Sequence, residues 1–135
     1  MHRIAPLLLA GAVLVCAAPA SSEPRSAKAE AQLQRWIGGK VAGAPVDCLP
    51  AFRPDDMVVI DNQTILFKGN HNVVYRNDPP GGCSPMKTGG YSLVTRSTSN
   101  RLCRGEIAQV VDVRSGVIAG SCAMGPFVPY QAPAR

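Results

Sequence analysis

Cys48, Cys83, Cys103 and Cys122 constrain this chain more than any other feature, because they follow an apolar leader and number four. A short exported chain with an even count of cysteines reads as one small domain stapled by disulfides. The intervening stretches are 34, 19 and 18 residues long, and no C-x-x-C pair occurs. Structural zinc sites bring their ligands in close pairs, and thioredoxin-like redox sites need C-x-x-C. The spacing therefore points to disulfides, with no metal and no cofactor expected.

The leader decides how the thiols are read. Met1-His2-Arg3 gives a basic start, Ile4 to Ala18 is apolar apart from Pro6 and Gly11, and Ala18-Pro19-Ala20 has the A-x-A form. Residues 1–20 are thus expected to be a signal peptide with cleavage before Ser21, placing the product in the periplasm or outside the cell. The run is short for a spanning helix, which wants roughly 20 apolar residues. Lipidation at Cys16 is the alternative, giving a membrane-anchored lipoprotein, although Val15 precedes that cysteine where a small residue is usual.

Removal of 20 residues from 135 leaves 115, a normal size for one domain, with 13 basic residues against 9 acidic once Arg3 is gone. A net charge of +4 favours anionic envelope surfaces. Nucleic acid is not an expected partner for an exported chain.

Residues 21–29 read as a flexible lead-in, residues 30–130 as the folded domain with its leading helix, and residues 131–135 as a tail. The helix is expected over Ser26 to Ile37, rich in alanine and glutamine and stopped by Gly38-Gly39. Ala29, Leu33, Trp36 and Ile37 fall on one stripe, which either docks on the domain or binds a partner protein.

Beyond Asp55-Asp56 the pattern becomes that of strands: Met57 to Asp61, Thr64 to Lys68, His71 to Arg76, Tyr91 to Arg96, Glu106 to Val113 and Val117 to Ala123. Gly69-Asn70 reads as a two-residue hairpin turn, and Asp78 to Gly82 as a stop. Ile107, Val111 and Val113 follow strand alternation, with Gln109 interrupting that face. Pro126, Pro129 and Pro133 make the C-terminus an extended segment lying over the domain through Phe127 and Tyr130. The expected fold is mainly β: a small antiparallel barrel or twisted meander of about six strands with one N-terminal helix. Its register places Cys122 opposite the start of the Glu106 strand, with Cys103 just upstream. We therefore expect Cys83–Cys103 with Cys48–Cys122, or alternatively Cys48–Cys83 with Cys103–Cys122.

Groups able to do acid–base chemistry are few. His71 is the one histidine beyond the leader, beside a turn, and an enzyme would have to work through it with Ser84 and Asp61 or Asp78. Asp55 and Asp56 are adjacent and would face opposite ways on a strand. Asp61 and Asp112 close strands, where a carboxylate hydrogen-bonds within a turn. The glycine pairs Gly38-Gly39, Gly81-Gly82 and Gly89-Gly90 precede no Lys-Ser/Thr at P-loop spacing, so turns explain them. Lys87, Arg96, Arg101 and Arg104 bracket a polar loop and form a candidate anion-binding patch.

Pro45-Val-Asp-Cys48, Ile60-Asp-x-x-Thr-Ile-Leu-Phe67, Gly81-Gly-Cys83, Arg101-Leu-Cys-Arg-Gly-Glu-Ile107 and Ser121-Cys-x-x-Gly-x-Phe-Val-Pro129 occur in that order. The pattern resembles a family of small exported proteins of sphingomonad-type bacteria that carries a domain of unknown function. It covers about Gly39 to Tyr130. The family often has Cys-Pro-Gly where this chain has Cys83-Ser84-Pro85, and an aspartate at the place of Glu106. The resemblance implies a small exported domain and brings no substrate, cofactor or catalytic residue with it. The scarcity of acid–base groups makes a non-catalytic binding or structural role the expectation, with an enzyme using His71 as the alternative.

Overall fold

The structure is a computed structural model that describes residues 24–86, 89–96 and 100–134. The leader with Cys16, and Lys87 of the candidate patch, lie outside the described residues.

Helix α1 spans Ala27–Ile37. Ser26 Oγ caps it by accepting the Ala29 N–H, and the Gly38 N–H closes the other end on Gln34 O. Among the described residues eight strands follow: β1 (Val41–Ala42), β2 (Met57–Val59), β3 (Ile65–Lys68), β4 (Val74–Asn77), β5 (Tyr91–Thr95), β6 (Ile107–Asp112), β7 (Ile118–Ala123) and β8 (Phe127–Gln131). A 3-10 turn at Pro54–Asp56 leads into β2. Every pairing is antiparallel, in a five-stranded sheet ordered β1-β8-β4-β3-β2 and a three-stranded sheet ordered β5-β6-β7.

The molecule is therefore built in layers: helix, five-stranded sheet, three-stranded sheet. β3 shows why. Ile65 and Phe67 point between the sheets while Leu66 points at the helix, so three successive residues are buried and the strand reads as a continuous apolar run. Leu66, Ile60 and Val74 receive Ala29, Leu33 and Ile37. The helical stripe docks on its own sheet, and only Trp36 of the four stays half-buried. Between the sheets, Phe67, Phe127, Met86, Leu93, Leu102, Val110 and Met124 are packed to near-complete burial. The Phe67 and Phe127 rings meet edge to face with centroids 5.7 Å apart.

All six expected strands form, in two meanders (β2-β3-β4 and β5-β6-β7) that do not close into a barrel. Two further strands, β1 and β8, were not expected. β8 lies between β1 and β4, so the proline-rich segment belongs inside the sheet. Pro129 is tolerated there because its carbonyl, and hence its missing N–H, faces the short β1 edge, where it accepts from Gly43 N at 2.7 Å. Toward β4 it sits opposite Tyr75 without needing a donor. The lead-in also ends earlier than residue 29: α1 starts at Ala27, and Arg25 is already held by Asp61 and Thr64. Gln131 belongs to β8 and not to the tail.

The turn expected at Gly69-Asn70 is displaced by two residues. His71 and Asn72 are its central residues, both left-handed (φ 54° and 61°), and Val73 N–H donates to Asn70 O. Asparagine is at ease in that conformation and histidine is tolerated. Lys40 Nζ donates to Asn72 O at 2.6 Å and holds the turn from outside.

The disulfides are Cys48–Cys103 and Cys83–Cys122, the one connectivity of the three that was not expected. Cys122 does stand opposite Ala108 near the start of β6, as the hairpin register requires. Its side chain points into the core, however, where it meets Cys83, and both are buried. Cys103 is turned away by a tight bend in which Glu106 N–H donates to Cys103 O. It pairs instead with Cys48 as an antiparallel bridge, flanked by Arg104 N–H to Asp47 O and Leu49 N–H to Leu102 O.

Candidate functional site: the open face of the second sheet

The groups imagined as catalytic are not brought together. Asp61 and Ser84 line a cleft of about 460 Å³ between α1, the β2–β3 turn and the Ser84-Pro85 loop. His71 lies at the other end of β3, exposed at the tip of its turn and lining a separate groove with Arg53 and Lys68. The carboxylates already have work. Asp61 Oδ1 accepts the Gln63 and Thr64 N–H groups while Oδ2 accepts from Arg25, and Asp78 accepts from Thr64 and Arg76. Asp55 and Asp56 lie in the 3-10 turn. Among the described residues no three His, Cys, Asp or Glu side chains converge as metal ligands.

The arginines of the expected patch lie at one end of the three-stranded sheet. Thr95 points inward opposite Ala108, so Arg96 continues the outward face of β5 and lines a groove with Val94, Ile107 and Gln109. Arg101 and Arg104 flank Cys103 in the loop leading to the same end. All three arginines are exposed. Arg104 shares its charge with Asp47 at 3.8 Å, whereas among the described residues Arg96 and Arg101 enter no ion pair.

Register fixes what surrounds them. Side chains alternate along a strand, and the inward positions on this sheet are Leu93, Ala108, Val110 and Cys122. The outward positions are then Ser92, Val94, Ile107, Gln109, Val111 and Ser121, with Ile118 opposite Val111 across a bulge at Val110/Val111. The row Ile107, Val111, Val113 thus faces away from the core, and small Ala108 with Val110 fills the interior. Nothing within the described residues covers that face: Ile107 and Val113 are each 59% exposed, Ile118 55% and Val94 43%. Gln109 and Ser121 cross its middle, leaving an apolar group at each end. Arg96 borders one end and Arg114, in the β6–β7 turn, stands exposed at the other.

Glu106 and Asp112, the acidic groups beside this face, each accept from backbone donors. Glu106 Oε2 accepts the Cys103 N–H, and Asp112 Oδ1 accepts the N–H groups of Arg114 and Ser115, all at 2.9 Å. Those hydrogen bonds, from Ser115 first and Arg114 next, hold the Asp112 carboxyl below the usual carboxylate range. The Asp112 bonds lie at the exposed surface and Glu106 lines the same groove as Arg96, so the face presents polar groups beside its aliphatic side chains and guanidinium groups.

No family model, curated protein or solved structure matches this chain. The uncovered face had a signal in the sequence, the Ile107-Gln109-Val111-Val113 alternation. What hid it was that either face of β6 offers valine or isoleucine, and only the packed structure says which is outside.

Proposed function

We propose that this chain is a non-catalytic binding domain of the cell envelope, exported to the periplasm or beyond, that attaches to an anionic surface through Arg96, Arg101 and Arg104. The observation that carries the reading is the placement of three exposed arginines at one end of a sheet, two of them, Arg96 and Arg101, in no ion pair among the described residues. The two disulfides, and the lack among the described residues of any helix long and apolar enough to cross a membrane, support an exported domain that reaches its surface from outside. Membership of the small exported sphingomonad-type family belongs to the same proposal and adds no activity to it.

Guanidinium groups bind phosphate and carboxylate bidentately, and exposed charge attraction is screened over roughly 8 Å at physiological salt. The test is retention of the oxidised protein on phosphatidylglycerol vesicles and on a soluble polyanion, polyphosphate, across a salt series. Retention that falls as salt rises, and falls further in Arg96→Ala/Arg101→Ala, is the expected result. Absence of retention at low salt on either material would remove the proposal.

A further inference from the structure

We infer that the surface bound is a lipid bilayer, and that the outward face of β5, β6 and β7 is the part that enters its headgroup layer. The inference rests on the proposed attachment through the arginines and names the partner for the same site.

An arginine cluster alone does not distinguish a lipid headgroup from a wall polymer, since both offer phosphate or carboxylate. The neighbouring surface does. Val94 and Ile107 are diagonal neighbours beside Arg96, and Val113 and Ile118 lie beside Arg114, so each cationic end carries exposed aliphatic side chains next to it. A hydrated polymer gives those side chains nothing to leave water for. A bilayer interface offers acyl chains just beneath its anionic headgroups, and an apolar face rimmed with Lys or Arg binds there by burial and charge attraction together.

The rest of the fold fits the same partner. The other β-sheet has both faces covered, one by α1 and one by the second sheet, so the β5-β6-β7 face is where the layered structure stops. Glu106 and Asp112 frame it, and their carboxylates are drawn to backbone N–H groups. Arg96 and Arg101, which enter no ion pair among the described residues, are left to meet an anionic surface.

The experiment compares the oxidised wild-type chain, Val94→Thr/Ile107→Thr/Ile118→Thr and Arg96→Ala/Arg101→Ala. Each is measured on phosphatidylcholine vesicles with and without phosphatidylglycerol, and on polyphosphate. Threonine keeps the β-branched shape of these exposed positions, and far-ultraviolet dichroism with intact disulfides confirms the fold. The threonine variant should lose about tenfold or more in partition to the anionic vesicles and hold polyphosphate like the wild type. The arginine variant should lose both. Equal vesicle binding by the threonine variant and the wild type would overturn the bilayer inference and leave the arginine attachment standing. Loss of every interaction in the wild type would remove both. A wild-type dimer in sedimentation that the threonine variant abolishes would show that a second copy covers the face, and would also overturn it.

Discussion

Arg25 donates from Nε to Asp61 Oδ2 at 2.6 Å, joining two residues 36 apart in the chain. The same guanidinium reaches the hydroxyl of Thr64, which is fully buried and donates a hydrogen bond to Asp78 Oδ1 at 2.6 Å; Asp78 in turn holds Arg76. A single line of polar contacts thus ties the entry to α1 to the turn between β2 and β3 and onward to β4.

Replacing Arg25 by alanine leaves a partly buried carboxylate and a buried hydroxyl short of a donor. The expected loss is about 2 kcal/mol of unfolding free energy, since breaking a hydrogen-bonded charge costs roughly that much at partial burial. Urea denaturation measures it. Hydrogen exchange should show lost protection in α1 before the three-stranded sheet. Equal loss in both would mean that the helix is not held by this contact.

Asn77 is wholly buried and spans the crossing of β4 with the turn before β8. Its Nδ2 donates to Gly125 O at 2.7 Å and its Oδ1 accepts Gly125 N–H at 3.1 Å. Asn77→Leu keeps the volume but strands both backbone groups, so it should cost about 2–4 kcal/mol. A stability near that of the wild type would show that the turn finds other partners.

The two disulfides should differ in their response to thiols. Cys83 and Cys122 are 0% and 7% exposed, while Cys48 and Cys103 are only half-buried. Exchange needs direct attack by a thiolate on sulfur. Mild dithiothreitol followed by alkylation and mass spectrometry should label Cys48 and Cys103 first. Removing the buried bridge by Cys83→Ala/Cys122→Ala should cost about 4 kcal/mol on the chain-entropy estimate for a loop of that length.

Acid should loosen the β6–β7 turn. The Asp112 carboxyl titrates lower in the folded chain than its ordinary value of 3.8. Its contribution is therefore complete above the unfolded value and disappears as pH falls through the folded one. Asp112→Asn should weaken protection of the Arg114 and Ser115 amides at neutral pH, and the difference from wild type should vanish in strong acid. A difference that persists there would assign the effect to geometry rather than charge.

Much of this fold can be read from the residues. Val-Val-Ile, Ile-Leu-Phe and the valine-rich hairpin announce their strands through local pattern, and Ser26 with Gly38-Gly39 announces the ends of the helix. The placement of Arg96, Arg101 and Arg104 near one another follows from their short separation in the chain. What stayed hidden depends on partners far away in sequence. Pro129 masks β8 until it is known that its missing N–H faces β1. Cys103 looks like the neighbour of Cys122 until the Cys103–Glu106 bend turns it toward Cys48. The outward phase of β6 is likewise a matter of which sheet lies behind it, since Ala108 and Val110 pattern no more strongly than Ile107 and Val111.

β8 follows every other described element in the chain, yet its place is between β1, just after the helix, and β4. A chain emerging from its amino end can form the β2-β3-β4 meander and, later, the β6–β7 hairpin, but β1 has nothing to pair with until residues 127–131 arrive. Phe127 then fills the last buried position between the layers in the same step. One short segment thus closes two contacts at once, joining the first strand to the sheet and plugging the space between the layers.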